Sequence, residues 1–235
     1  MGNGRLPLFL RPCRPGPLRI ECFRERERPK SRSLWSVKRA RWNTSRSQGD
    51  GAMRIGEVLF FSPRFKFAEL NFEDTHTLVE AFQDRVCGFY LRPAERCIDA
   101  GEGFAGGLIC CAAIEFIAKA FGYEHGSEWL LATVPDFGND EKLTRRFWTL
   151  FRDGLAHEGR VKSFGGGSGQ FSLDLPETVT NLDSVMIVNP RLLLKAVMAA
   201  FKKSCQEISG ERAALLATFL KRYFDAEVNA AKAKR

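Results

Sequence analysis

The sequence predicts a mainly α-helical fold, a helical bundle with a small β-hairpin inserted before the penultimate helix. Apolar residues recur at helical spacing in several stretches between positions 73 and 231. Residues suited to N-caps precede these stretches, and glycines follow most of them. Two short extended runs flank one glycine-rich turn, Gly165–Gly169. We therefore expect residues 53–235 to form one helical domain.

The segment 1–52 differs from the rest of the chain in composition. It is rich in Arg, Pro, Ser and Gly and shows no sustained apolar periodicity, which predicts disorder. Three interpretations remain open: a basic arm for nucleic acid, a targeting segment, or an artefact of start-site assignment with translation beginning at Met53. The abrupt change of character at Met53 favours the artefact.

The sequence predicts two main helices in the first half of the domain. After an aromatic lead-in over 55–72, apolar spacing indicates a helix from Glu73 to Tyr90, with Asp74 or Thr75 as N-cap and Pro93 ending or offsetting it. The second helix, Phe104–Phe121, is apolar on almost every side and should be the central helix of the bundle. Between Gly122 and Gly138 we expect an irregular connection with about one helical turn.

In the second half of the domain the sequence predicts a helix, a hairpin and two more helices. The third helix should begin after Asn139 or Asp140 and reach Glu158, with Gly159 as its stop. The hairpin would join residues 160–164 to 170–175, and 184–188 is a candidate third strand. The last two helices are expected at 190–208, after Asn189 as N-cap, and at 211–231.

The charge distribution removes the simplest argument for nucleic-acid binding. The formal net charge is +8, but segment 1–52 holds 13 of the 36 Lys and Arg residues and only 4 of the 28 acidic ones. The remaining 23 basic and 24 acidic residues leave the domain near −1. Bulk charge therefore gives no indication that the domain binds a polyanion.

The cysteines and apolar runs indicate a cytoplasmic protein. The seven cysteines form no CxxC pair or Cys/His cluster with zinc-site spacing, so we expect neither a metal nor another cofactor. An odd number of thiols fits a reducing compartment. The longest apolar stretch, 104–121, contains Glu115 and Lys119 and is typical of a core helix, so no membrane association is expected.

One cluster of polar residues has side chains that could take part in catalysis. Arg152, Asp153 and His157 lie within six residues at the end of the otherwise apolar third helix. At about 100° per residue in an α-helix, Asp153 and His157 share a face, whereas Arg152 lies roughly 140° from His157. Asp153 could then orient the imidazole, and Arg152 would reach His157 only through fraying near Gly154 or from a second chain. Arg and His in a last turn also arise from simple complementation of the helix dipole.

This cluster resembles the signature of the HEPN superfamily. The stretch 151–160 (FRDGLAHEGR) has an arginine, a polar residue and then a histidine after a gap of four, at the end of a bundle helix. The glycine-rich hairpin and the Asn189–Pro190 helix start are also similar to prokaryotic HEPN-type proteins. The resemblance covers roughly residues 70–208.

The resemblance implies a four- or five-helix domain that often dimerises through its motif helices. Many members are metal-independent endoribonucleases in toxin–antitoxin and other defence systems, and others are non-catalytic binding modules. It implies catalysis by His157 as general acid or base and by Arg152 as the group that stabilises phosphate charge, with Asp153 orienting the histidine. Arg160 and Lys162 would contact neighbouring RNA phosphates.

Three functional expectations follow: a homodimeric HEPN-type ribonuclease with an RNA substrate and an antitoxin partner, a non-catalytic HEPN-type module, or a helical interaction protein without a ligand. The near-neutral domain favours the second, and the clustering of Arg152, Asp153 and His157 favours the first.

Overall fold

The computed structural model of the chain describes residues 53–233, and the predictions made for segment 1–52 lie outside the described residues. The described part is mainly helical, as the sequence predicts. Its α-helices are α1 (Thr75–Val86), α2 (Arg92–Asp99), α3 (Gly103–Ala120), α4 (Gly126–Thr133), α5 (Glu141–Phe147), α6 (Pro190–Gln206), α7 (Gly210–Tyr223) and α8 (Asp225–Lys232). Its strands are β1 (Met53–Ile55), β2 (Val58–Phe60), β3 (Ser163–Phe164), β4 (Gly167–Phe171), β5 (Val179–Leu182) and β6 (Val185–Val188).

Two π-helical segments continue α-helices without a break. The segment Cys87–Leu91 joins α1 to α2, and the segment Trp148–Glu158 extends α5. We call them the first and second π segments. Helix α1 begins at the predicted cap, where the Asp74 carboxylate accepts from Thr77 N at 3.2 Å. The predicted end or offset at Pro93 is observed as a change to π geometry just before that residue.

Helix α3 is the central helix, as its all-round apolar character predicts. Ten of its residues are buried: Gly106, Gly107, Cys110, Cys111, Ala113, Ile114, Phe116, Ile117, Ala118 and Ala120. By length and composition this one described helix could cross a membrane, but 56% of the span is buried among its neighbours. Such burial is typical of a core helix.

The connection between α3 and α5 is more regular than the sequence predicts. Helix α4 has eight residues, and a short 3-10 turn, Pro135–Phe137, follows it. Trp129, in α4, and Phe137 are fully buried. The apolar run around Trp129 is too short to show a helical period, so tertiary burial rather than local pattern establishes this helix.

The inserted β structure is larger than the predicted hairpin. Four strands form one sheet in the order β3-β4-β6-β5. The first hairpin, β3–β4, closes at Gly165 and Gly166, whereas β4 already begins at Gly167, inside the predicted turn Gly165–Gly169. The 184–188 run becomes β6, which pairs with β4 in parallel and with the unpredicted β5 antiparallel. Strand pairing across a crossover is non-local, so the hairpin pattern alone could not reveal it.

The sheet lies directly before the helix that begins at Pro190, as predicted, but three helices follow it instead of two. The expected final helix is divided at Phe224, which separates α7 from α8. Phe224 is fully buried and its ring meets those of Phe61 and Phe67 at 5.4 and 5.6 Å. The chain bends here because the ring packs into the core against the segment that follows β2.

Candidate functional site

The site is the exposed end of the second π segment, where Arg152 and His157 meet. Arg152 Nη1 lies 3.4 Å from His157 Nε2 within one chain. The α-helical geometry used for the sequence prediction put these residues on different faces, and that prediction is wrong. A π-helix closes its turns with i→i+5 hydrogen bonds, which bring residues five apart to the same side. A second chain is therefore not needed to form the pair.

The returning chain explains why the helix widens here. After Gly159, which ends the segment in the left-handed region at φ 67°, the backbone folds back over Gly154. Lys162 N donates to Leu150 O at 2.8 Å, and Arg160 N donates to Gly154 O at 3.3 Å. A Cβ on Gly154 would lie 2.5 Å from Arg160 O, so glycine is required for this approach.

Three neighbouring groups fix the Arg152 guanidinium. Nη1 donates to Asp153 Oδ1 at 2.9 Å, and Nη2 lies 3.9 Å from Glu115 Oε1 on α3. The guanidinium carbon lies 5.8 Å from the centre of the Trp148 ring, within range of a cation–π contact. The side chain retains 28% exposure, so its remaining N–H groups can reach a ligand.

Asp153 acts on Arg152 rather than on the imidazole. Among the described residues its hydrogen bond is the one from Arg152, and no bond joins it to His157. The α-helical pairing of Asp153 with His157 does not form because π geometry moves position 157 toward Arg152. Asp153 therefore orients the histidine only indirectly, through the arginine.

The contact with Arg152 is compatible with one tautomer of His157. Arginine has donors and no acceptor, so the contact is a hydrogen bond when the imidazole is neutral with its proton on Nδ1 and its Nε2 lone pair free to accept. His157 is exposed, and its Nε2 lies beside the guanidinium of Arg152. A substrate hydroxyl that displaces Arg152 from Nε2 would meet a proton acceptor beside a fixed cation.

The two predicted RNA contacts lie just past the helix and both pair with one carboxylate. Arg160 Nε lies 3.3 Å from Glu158 Oε2, and Lys162 Nζ lies 3.2 Å from Glu158 Oε1. Hydrogen bonding from Lys162, together with the charges of both cations, holds the pKa of Glu158 below its ordinary value. Much of the positive charge of these two residues is therefore compensated within the protein.

Two cavities adjoin Arg152. One, of about 250 Å³, lies against α3 and is lined by Tyr90, Glu115, Phe116 and Tyr223 among others. The other, of about 510 Å³, is lined by Arg145, Trp148, Arg152 and Asp153, with α4 on the opposite side. Neither cavity was predictable from the sequence, because each combines residues from distant helices.

The thiols near the site are unsuited to nucleophilic chemistry. Cys111 lines the smaller cavity, and burial raises its pKa to about 12 even though Arg152 opposes the shift. Cys110 is fully buried and its pKa is also raised by desolvation. Both thiols stay protonated at neutral pH and act as small core side chains.

One possible metal-ligand group exists among the described residues: Glu124, His125 and Glu128 offer ligand atoms within 4.8 Å of one another. All three residues are exposed. Exposed acidic groups adopt such spacing without a metal, so this group alone defines no metal centre.

Comparisons of the chain with protein-family models, curated proteins and solved structures find no significant match. The functional interpretation therefore depends on the contact between Arg152 and His157 and on the residues that hold it.

Proposed function

We propose that the chain is a metal-independent endoribonuclease of HEPN type that works as a homodimer, with an antitoxin partner, in a toxin–antitoxin or defence system. The observation that supports the proposal best is the contact of Arg152 Nη1 with His157 Nε2, 3.4 Å apart on an exposed helix end. A guanidinium and an imidazole acceptor at this separation can address one phosphodiester together.

The proposed reaction is transfer of the phosphoryl group to the RNA 2′-oxygen. His157 Nε2 takes the proton of the 2′-hydroxyl as the 2′-oxygen attacks phosphorus. Arg152 donates to the non-bridging oxygens, where negative charge develops. The bond from phosphorus to the 5′-oxygen breaks, and that oxygen leaves as a hydroxyl after protonation by water or by His157. The products are a 2′,3′-cyclic phosphate and a 5′-hydroxyl end.

The residues around Arg152 support this role by positioning it. Asp153 and Glu115 lie on the guanidinium at 2.9 and 3.9 Å, and Trp148 limits its movement from another side. A preorganised donor costs little reorganisation when charge develops on the phosphate. The proposed reaction assigns proton transfer to His157 or water and charge stabilisation to Arg152, so no step is assigned to a metal ion.

One observation favours a non-catalytic HEPN-like module as the second candidate. Two carboxylates already compensate the charge of Arg152. In that case Arg152 would serve chiefly to tie the second π segment to α3 through Glu115. The two candidates predict different effects of His157→Ala on RNA cleavage. Neither predicts a large effect on stability, because this exposed side chain contributes little to packing.

The test is cleavage of labelled single-stranded RNA and of tRNA in EDTA by the full chain, by His157→Ala and by Arg152→Ala. We expect cyclic-phosphate ends from the parent and a loss of at least about 100-fold in rate for each variant. His76→Ala and Arg96→Ala, two exposed changes outside the site, are the matched controls and should retain the parental rate.

Thermal unfolding of the same proteins shows whether a loss of cleavage is caused by a loss of stability. The endoribonuclease proposal predicts that His157→Ala unfolds within about 0.5 kcal/mol of the parent. An inactive parent, or cleavage that survives in both site variants, would contradict it. Light scattering of the same samples tests the proposed homodimer.

A further inference from the structure

A second group of cations, Lys142 and Arg146, lies in α5, the helix that the second π segment extends. We propose that the cavity between α5 and the glycine turn of the first hairpin binds a backbone phosphate of the RNA strand away from the cleaved bond. Lys142 and Arg146 would supply the charge. This proposal depends on the function proposed above only in taking RNA as the substrate.

The cavity has about 550 Å³ of volume and two contrasting walls. Lys142, Arg145, Arg146 and Thr149 line it on the helix side, and Gly165–Gly167 with Ser184 line it on the sheet side. Among the residues that the structure describes, no acidic side chain lines it. Leu150 also lines the helix side, and the glycines of the sheet side present no side chains. The charged ends of Lys142 and Arg146 are therefore the groups that a phosphate could contact in this cavity.

The charges in this cavity are less compensated than those at the predicted RNA contacts. Arg146 donates to Asn181 Oδ1 at 3.2 Å and to the carbonyl oxygen of Ser184, and both acceptors are neutral. Lys142 forms no ion pair among the described residues. Arg145 is different, because it pairs with Glu141. Two cations thus face the cavity without carboxylate partners, whereas Arg160 and Lys162 share Glu158.

Arg146 is held in place by the sheet. Its two bonds to the β5–β6 hairpin fix the guanidinium, and N–H groups remain for a ligand. A Cβ on Gly167 would lie 2.7 Å from Arg146 Nη2, so glycine at this position allows the close approach. The inserted sheet therefore positions a cation that the helix alone would leave mobile.

Arg145 connects the cavity with the surroundings of the catalytic pair. It lies three residues after Lys142 in α5, and both residues line the cavity. Arg145 also lines the neighbouring cavity that contains Arg152 and Asp153. Positions 142 and 152 are separated by about 15 Å along the helix axis. A strand bound at both places would span several nucleotides, so the cavity should affect long substrates and leave dinucleotides unaffected.

The experiment compares the full chain with Lys142→Gln and with Lys202→Gln, an exposed lysine on α6 as matched control. Binding of a fluorescein-labelled 2′-O-methyl RNA decamer, which cannot be cleaved by attack of its 2′-oxygen, is measured by anisotropy over a range of salt concentrations. Cleavage of an unmodified decamer and of the dinucleotide UpA is measured in parallel. Arg146→Lys keeps the positive charge but removes the planar guanidinium, so it tests whether that geometry contributes to binding.

We expect Lys142→Gln to weaken decamer binding about five- to tenfold and to reduce the slope of log K against log salt by about 0.7, the amount for one lost phosphate contact to a single strand. Cleavage of UpA should stay at the parental rate. Lys202→Gln should match the parent in both assays.

Equal binding by Lys142→Gln and Lys202→Gln, or no decamer binding by the parent, overturns the phosphate site. Loss of UpA cleavage in Lys142→Gln also overturns it, because the residue would then act at the reacting bond. A parent that cleaves neither RNA but binds the decamer through Lys142 retains the phosphate site and refutes the endoribonuclease.

Discussion

The two π segments differ in what causes them and in what they place. The first, Cys87–Leu91, lies inside a continuous helix, and the second, Trp148–Glu158, lies at the end of one. The first holds packing residues such as the buried Leu91. The second carries Arg152 and His157. A π turn is rare in proteins and often occurs at functional sites, and these two segments have different physical causes.

A local residue explains the first segment. Pro93 has no backbone N–H to donate to the carbonyl of Phe89, and its ring would collide with that carbonyl in an α-helix. The wider turn moves the carbonyl away, and Arg92 N donates instead to Cys87 O. A residue of the helix itself therefore accounts for the wider turn.

The second segment has no proline and depends on a distant part of the backbone. Lys162 N donates to the carbonyl oxygen of Leu150, and the backbone that follows Gly159 passes over Gly154. The wide turn is thus maintained from outside the helix. Its consequence is the approach of Arg152 to His157, so a tertiary contact positions the proposed catalytic residues.

The glycine in each segment gives the largest test of this difference. In Gly154→Ala the new Cβ would meet backbone, 2.5 Å from Arg160 O and 2.7 Å from Lys162 N, which cannot move without displacing the returning chain. We expect a loss of about 3 kcal/mol in the free energy of unfolding. RNA cleavage should fall at least about tenfold even where the variant is folded, because a small misplacement of catalytic groups is costly.

Gly88→Ala is the counterpart in the first segment. There the new Cβ would lie 2.3 Å from Pro63 Cγ, so stability should also fall, by about 2 kcal/mol. Cleavage at a temperature where the variant is folded should equal that of the parent. Equal losses of activity in the two variants would mean that the second segment has no special relation to the site.

The carboxylate beside each segment gives a smaller test. Asp84, three residues before the first segment, accepts from Ser62 Oγ, Arg64 N and Arg64 Nε at 2.8 to 2.9 Å. Burial opposes its ionisation, but the hydrogen bonds from Arg64 and Ser62 outweigh burial and lower its pKa. Asp84→Asn should cost about 2 kcal/mol at pH 7, since bonds to a charged acceptor are lost.

The pH dependence of that loss follows from the direction of the shift. A carboxyl group whose pKa is lower when folded stabilises the protein above its ordinary pKa, near 3.8, and loses this effect as pH falls through the folded value. Denaturant titrations should therefore show the gap between parent and Asp84→Asn narrowing below about pH 4. A gap that stays constant to pH 2 would contradict the role of the charge.

Asp153→Asn is the matched change at the second segment. Its carboxylate is 32% exposed and pairs with the adjacent Arg152, so unfolding should change by less than about 1 kcal/mol. Cleavage should fall about tenfold because the arginine loses its closest restraint.

The sequence predicted the features of the fold that depend on nearby residues. The caps at Asp74, Asp140 and Asn189 are observed, each with its side chain accepting from the first turn. The glycine stop at Gly159 is also observed. Each of these depends on hydrogen bonds within a few residues, which residue type indicates directly.

The features that it missed depend on contacts across the chain. The parallel pairing of β4 with β6 joins residues on either side of an intervening strand. The π geometry at Arg152 needs the backbone of Lys162, and no residue type within the helix signals it. The sequence therefore predicted which residues cluster at this helix end, but it did not predict which of them are in contact.

The central claim is that Arg152 and His157 of the same chain form one site, and complementation tests it most directly. Arg152→Ala and His157→Ala are co-expressed with different tags, mixed pairs are isolated through both tags, and RNA cleavage is measured. Because each mixed pair has one defect in each chain, we predict no activity above that of either variant alone. Recovery of a substantial share of parental activity, about half for a mixed two-fold dimer with one restored site, would show that the site joins Arg152 of one chain to His157 of the other.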